Sequence, residues 1–452
     1  MGFACRTLLA AIAIAIGLGW PGSKNALADQ IRLLPGHQEA LQARADLIQQ
    51  AEYQIDCAYY AVDTGRVPAA VLQLLAEAAQ RGVRVRLLVD GLMSRLPLGL
   101  HEHLCSQGVE VCVYRPPNNL HPILLNRRMH DKLLIVDRQS LVMGSRNLQD
   151  AHFGRRSPGF VDCDAVIEGA SVEWAADYFE WIWNHGHVEP LKDMNLIGQS
   201  IFRLLPNTRD DWSRHWRAAK SDQDYAQLLQ ASLQAVVAEG MLQLETGNDW
   251  NQQSDPDVEL EFVHEADTGK QAKTVQRRLQ ELIHNAQYSL LIQTPYPVFT
   301  RYDLEQILET RRRGVRVVLC TNSLQTTDRL ATYSDFENFK GVLLEAGIEI
   351  YEAGGTEHLH NKAVVIDDCI AVIGSYNFDE RSANLNMEVG MIAYSPDVAR
   401  QVREIIESQM ASGIRTTESP ALLEPSPCGA STTRRLKMQL GRLLVPTFRW
   451  LL

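Results

Sequence analysis

Apolar positions along this chain fall into short β-branched runs separated by stretches of helical spacing, and the order of these elements occurs twice. In the amino-terminal half a strand-like run from Tyr53 to Val62 precedes a helical stretch from Val67 and a second run, GVRVRLLVD, from Gly82 to Asp90. In the carboxy-terminal half Tyr288 to Val298, a helix around Leu304 to Arg313, and GVRVVLCTN from Gly314 to Asn322 follow the same order. A further helix in each half leads to Gly108–Tyr114 and Gly347–Tyr351. Such alternation predicts βαβ units, an α/β fold and a largely parallel sheet in each half.

The duplicated frame carries a duplicated chemical phrase. His130-x-Lys132 with Asp137, then Gly144-Ser145-x-Asn147, returns as His360-x-Lys362 with Asp367, then Gly374-Ser375-x-Asn377. One copy would arise by chance often enough to mean little, but a second with the same sequel at the same offset marks function. Each histidine opens a strand and each Gly-Ser pair closes the next, so the motifs can converge on one rim of the sheet, where sites sit in α/β layers.

The residue types suit phosphodiester exchange. That chemistry needs a nucleophile, a proton donor for the leaving alkoxide, and positive charge on the non-bridging oxygens. One neutral imidazole can attack phosphorus while the other, protonated, supplies the leaving oxygen. Lys132 and Lys362 would neutralise the phosphate, with Ser145, Asn147, Ser375 and Asn377 adding hydrogen bonds, and no metal or cofactor is required. A carboxylate on the second nitrogen of each histidine would fix its tautomer; Glu388, in SANLNMEVG, is assigned to His360, and Asp162, in FVDCDAVIEG, to His130. Asp137 and Asp367 end hydrophobic strands, and capping the following turn is the stronger reading for them than contact with substrate.

At 452 residues the chain exceeds the usual reach of one hydrophobic core, and the repeat places the boundary. Residues 29–190 and 258–410 form the two domains, 191–257 a helical connector or cap, and 411–452 a Ser/Thr/Pro-rich segment with a tail. A net charge of −11 argues against broad capture of nucleic acid, although Arg127 and Arg128 beside the first motif could either draw in an anion or sit as surface charge. Residues 1–28 read as a secretory signal: Arg6, an apolar run from Leu8 to Trp20, and Ala26-Leu27-Ala28. That predicts export to a bacterial periplasm or envelope. Seven cysteines follow it, an odd and scattered set that favours buried thiols; Cys105 and Cys112 could bridge, and no Cys–His spacing resembles a zinc site. The tail, 434–452, is basic, apolar and free of acidic residues, so it could lie on a lipid surface or pack on the body.

The paired phrases resemble the HKD motif of the phospholipase D superfamily, over about Ile31 to Met410. The segments RRMHDK, GSRNLQDAHFG, FVDCDAVIEG and GSYNFDERSANLNMEVG are most similar to bacterial cardiolipin synthases and their relatives. The resemblance implies two tandem αβαβα sandwich domains related by a pseudo-twofold axis, with the active site between them. It also implies a phosphohistidine on His130, His360 as acid and base, no metal, a phospholipid substrate at a membrane surface, and transfer of a phosphatidyl group to phosphatidylglycerol. A hydrolytic phospholipase D is the first alternative, a secreted nuclease of the superfamily a more distant one. A non-enzymatic module is disfavoured because neither motif copy is damaged.

Overall fold

The computed structural model describes residues 29–94, 96–118, 125–190, 193–195, 215–216, 218–250, 254–265, 274–417 and 429–451; the signal-peptide reading lies outside them. Eight strands of the first half lie in the order β1 (Asp29–Leu34), β8 (Asp164–Glu168), β6 (Ser140–Gly144), β5 (Lys132–Val136), β2 (Gln54–Tyr59), β3 (Arg84–Asp90), β4 (Val109–Tyr114) and β9 (Val188–Pro190). The second half repeats this strand for strand: β10 (Asp255–His264), β17 (Val389–Tyr394), β16 (Ile370–Gly374), β15 (Ala363–Ile366), β11 (Ser289–Gln293), β12 (Arg316–Asn322), β13 (Glu349–Ala353) and β18 (Ile414–Thr416). β1 and β10 pair antiparallel, so the two halves share one continuous sheet about a pseudo-twofold axis.

The expected largely parallel sheet is corrected to a mixed one. Within the sheet only β2–β3–β4 and β11–β12–β13 run parallel, and the other pairings are antiparallel. The cause is local. β5 and β6, like β15 and β16, are separated by a three-residue turn, a length that can only return the chain antiparallel.

Helices complete the layers. Helices α1 (His37–Gln50), α2 (Arg66–Gln80) and α3 (Leu98–Ser106) pack with one face of the first sheet. α4 (Ala170–Trp183) packs in a central core that draws on both halves. α5 (Asp222–Ala238), from the connector, lies on α2 and α3, so that segment acts as a cap on the first domain. In the second half α6 (Thr274–Asn285), α7 (Arg301–Arg312) and α8 (Leu330–Glu345) form the other outer layer; after the short α9 (Glu380–Asn384), α10 (Pro396–Ala411) joins α4 in the centre. Strand alternation explains the division: Leu87 and Val89 face the outer core of the first half, whereas Leu88 between them faces the central one.

Asp137 and Asp367 prove to be structural and lie away from the candidate site. Each sits in the β-hairpin turn with φ of 52° and 53°. The Asp137 carboxylate accepts the backbone N–H groups of Glu52, Tyr53 and Gln54 at 2.8 Å each, and Asp367 accepts those of Gln287, Tyr288 and Ser289 at 2.9, 2.7 and 2.8 Å. They therefore pin the start of the neighbouring strand, β2 or β11, rather than cap the turn that follows. The third motif residue holds the scaffold in register.

Asp137→Ala or Asp367→Ala should each lower the unfolding free energy by about 1–3 kcal/mol, the cost of orphaning hydrogen-bonded backbone donors. Thermal melts and the specific activity of the folded fraction would show this; a full loss of activity at unchanged melting temperature would contradict the structural role.

Candidate active site

The two motif histidines line one cleft of about 240 Å³, together with Tyr60, Asn147, His152, Phe160, Tyr296, Arg329, Asn377 and Arg381. His130 precedes β5 and His360 precedes β15, so the pseudo-twofold axis brings the equivalent strand ends together. Short backbone pairings close the junction. Phe160–Val161 (β7) runs parallel to His358–Leu359 (β14), and the backbone N–H groups of His360 and Asn361 both donate to the Val161 carbonyl at 2.8 and 2.9 Å. Reciprocally His130 N–H donates to the Met387 carbonyl at 2.9 Å, and Met387 N–H to the Arg128 carbonyl at 2.8 Å.

These crossings overturn the assignment of orienting carboxylates. Glu388 accepts from His130 Nδ1 at 2.8 Å, and Asp162 from His360 Nδ1 at 2.7 Å. The residue types were read correctly and the partners the wrong way round. The segment carrying each carboxylate pairs with the opposite half, which linear order does not reveal. Ser145 and Ser375 are also reassigned: both are fully buried, and their hydroxyls donate to Asp162 (2.6 Å) and Glu388, so they steady the carboxylates instead of facing substrate. Asn147 and Asn377 do face the cleft, and the Oδ1 atom of each has no protein hydrogen-bond partner.

Behind the histidines lie the two lysines, each donating from Nζ to the carbonyl of its own motif histidine. Burial pushes Lys132 down to about 8 and Lys362 to about 7. Burial, then the charge of Lys132 and Lys362, also holds His130 well below its ordinary value; burial and Lys362 do the same for His360, against the opposing pull of Asp162. Burial raises Asp162, but the neighbouring His152 and His360 more than offset this and hold it well below the usual carboxylate range, whereas burial leaves Glu388 raised. Burial thus disfavours the charged form of both imidazoles and both lysines.

Arg128 is not among the residues that line the cleft. It is 2% exposed, lies 3.5 Å from Asp90, and donates to the Arg115 carbonyl. The arginines on the cleft wall are Arg156, Arg329 and Arg381; Arg156 and Arg329 lie outside the motif segments, and Arg381 lies within GSYNFDERSANLNMEVG without a role assigned to it from sequence. His152, Asp162 and His360 form the one group among the described residues whose ligand atoms lie within 4.8 Å of one another, as a metal ion would need; both Asp162 oxygens are taken up by ring Nδ1 atoms. Cys105 and Cys112 are free, as are the buried Cys57, Cys163 and Cys320, while Cys369 is disulfide-bonded.

Comparison with known proteins agrees with this geometry. The family described as cardiolipin synthase, PLD-like domain, matches residues 45–183 and 279–410. Cardiolipin synthase C of Escherichia coli is 30% identical over 82% of this chain and 83% of its own. Cardiolipin synthase 2 of Bacillus anthracis is 26% identical over 82% of this chain and 63% of its own. A phosphatidylserine synthase from Haemophilus influenzae has the same fold, with a TM-score of 0.66 over 94% of this chain and 97% of its own, at 15% identity. The chain belongs to the phospholipase D superfamily, in the cardiolipin synthase family of phospholipase D-like domains. It is an enzyme of the phosphatidyltransferase kind.

His130→Ala and His360→Ala should each abolish turnover with the fold intact by circular dichroism; substantial activity in either would break the shared-site account. Glu388→Gln and Asp162→Asn should cost less, about 10–100-fold, because these groups orient rather than react. The pH profile of kcat/KM reports the free enzyme. His360 must be protonated as the acid and is held well below its ordinary value, so the profile should begin to fall with rising pH below the ordinary histidine range, and, because the lysines must carry protons to neutralise phosphate, fall further through about 7 to 8. A basic limb at the usual lysine position would contradict this.

Proposed function

We propose that this enzyme cleaves a phospholipid phosphodiester through a phosphohistidine and passes the phosphatidyl group to phosphatidylglycerol, giving cardiolipin. The observation that carries the reading is the pair of buried imidazoles, one from each half, each with Nδ1 held by a carboxylate and both lining a cleft backed by two lysines. Fixing Nδ1 leaves Nε2 as the reacting nitrogen. His130 Nε2 attacks phosphorus, and His360, protonated against ionised Asp162 when the phosphate anion enters, gives its Nε2 proton to the departing head-group oxygen. In the second step His360 takes the proton of the acceptor hydroxyl, which attacks phosphorus and releases His130. Protons and charge balance over the cycle.

Transfer is favoured over hydrolysis by the relatives, several of which are cardiolipin synthases. Export rests on the Arg6 to Ala28 signal pattern, and a disulfide at Cys369 suits an oxidising compartment. Membrane contact is supported by the tail. Among the described residues no helix is long and apolar enough to cross a membrane. Yet α11 (Thr432–Leu444) buries Met438 and sets Gly441 against Ser334 of α8, where a Cβ would come within 2.4 Å of the hydroxyl. Its other face exposes Leu436, Leu440, Leu443 and Leu444, with Phe448 beyond. Arg434 ties the helix to the carbonyls of Leu324 and Thr327, just ahead of the cleft residue Arg329. A leucine stripe beside basic residues suits insertion into the surface of an anionic bilayer.

Two experiments test this reading. Purified protein incubated with labelled phosphatidylglycerol and phosphatidylethanolamine vesicles in chelator should yield cardiolipin by mass spectrometry. Phosphatidic acid with free head group would establish the hydrolase instead, and loss of activity in chelator would point to a metal at His152, Asp162 and His360. Leu440→Asp with Leu443→Asp should release the protein from anionic vesicles and lower turnover there at least tenfold, while sparing a soluble short-chain lipid; unchanged vesicle sedimentation would refute the tail as the docking surface.

A further inference from the structure

The two carboxylate nests follow one plan. In the second half one oxygen of Glu388 accepts from Ser375 and from His130 of the opposite half, and the other accepts from Ser382 at 2.7 Å and Asn386 at 3.1 Å. In the first half Asp162 Oδ1 accepts from Ser145 and from His360 of the opposite half. Its Oδ2, however, accepts from His152 Nδ1 at 2.7 Å. His152 follows Ser145 at the same interval as Ser382 follows Ser375. Where one nest has a hydroxyl, the other has a third imidazole.

That imidazole is built into the site. His152 is 1% exposed yet lines the cleft. Its ring stacks on Phe160, with centroids 4.4 Å apart and planes 12° from parallel, and stands edge-on to His360 at 4.9 Å. Phe160 in turn meets His360 edge-on at 5.2 Å. With Nδ1 donating to Asp162, the His152 Nε2 faces the Asn147 side-chain amide at 3.4 Å, an arrangement in which the amide donates to it. Among the described residues His130 has one such ring neighbour, Tyr60, at 4.6 Å. The pseudo-twofold symmetry therefore breaks around His360, which is clamped by two rings and shares its carboxylate with one of them.

We infer that His152 is a positioning residue for proton transfer by His360: it fixes Asp162 between two imidazoles and locks the His360 ring so that its Nε2 meets the leaving and entering oxygens. His152 itself forms no bond to phosphorus. The inference rests on the phosphodiester-exchange reading above. Its consequence is selective, because a misoriented proton carrier slows expulsion of a basic alkoxide far more than expulsion of an anion that leaves without a proton.

The test compares His152→Ser, which recreates the Ser382 arrangement, with His152→Phe, which keeps the stack and removes the N–H, and His152→Asn, which keeps a side-chain N–H. Each is assayed on phosphatidylglycerol and on a phosphatidyl-p-nitrophenol, whose leaving group needs no protonation. His152→Ser and His152→Phe should lose about 10–100-fold on the natural lipid, at least tenfold more than they lose in the nitrophenolate burst, and His152→Asn should recover part of it. Equal losses on both substrates would show a merely structural role, and no loss on either would also overturn the inference. Imidazole nitrogen NMR needs no lipid: His152→Ser should shift the His360 Nδ1–H resonance and leave that of His130 in place. An unmoved His360 signal defeats the inference whatever the substrate, whereas a shifted signal with no lipid turnover in the parent enzyme would defeat the substrate reading alone.

Discussion

The structure turns on an exchange of hydrogen bonds between its halves: the carboxylate of each domain holds the histidine of the other. His130 rests on Glu388 and His360 on Asp162, and the backbone bridges at Met387 and Val161 bring the donor and acceptor segments into reach. Neither domain alone contains an oriented histidine. The continuous sheet through β1 and β10 and the shared central core set the spacing between the halves, so the site exists only in the assembled pair. The repeated motif, crossed in this way, brings two carboxylate-held histidines to one cleft.

Burial gives this arrangement its chemical character. Two lysines, two motif histidines, His152 and two carboxylates lie in a region with little access to water, where an unmatched charge is costly. Burial accordingly lowers both lysines and holds both motif histidines well below their ordinary values. On the proposed function, a phosphodiester anion in the cleft would favour the charged forms of the lysines and His360. Binding and activation are then one electrostatic event, and preorganised donors replace solvent around the phosphate.

Much of this was legible in the sequence because the repeat supplied its own control. The order of elements along the chain and the repeat of one α/β domain followed from two copies of one pattern. What failed to show was whatever depends on contacts across the repeat. The carboxylates were identified by type but matched within each half, since the reach of Val161 and Met387 across the junction leaves no local trace. The sheet was misjudged although its signal was present: three residues, Asp137 to Gln139 and Asp367 to Cys369, separate apolar runs, which is the spacing of a hairpin. His152 was passed over because aligning the halves sets it against Ser382, and unlike residues at one offset look like drift. Arg329 belongs to no motif, and only folding carries it to the cleft wall, whereas Arg381 lies in the quoted GSYNFDERSANLNMEVG segment but has no counterpart in the first copy's motif residues to mark it.

The central claim is that His130 takes the phosphatidyl group while His360 moves the proton. A phosphatidyl-p-nitrophenol can load the nucleophile of the His360→Ala enzyme without an acid, yet the adduct cannot be discharged to an alcohol without a base. Rapid quenching, digestion at neutral to basic pH and mass spectrometry should find the adduct on the peptide bearing His130, and none in His130→Ala. An adduct on His360 in the parent enzyme, on His152, or on no histidine at all would contradict the account.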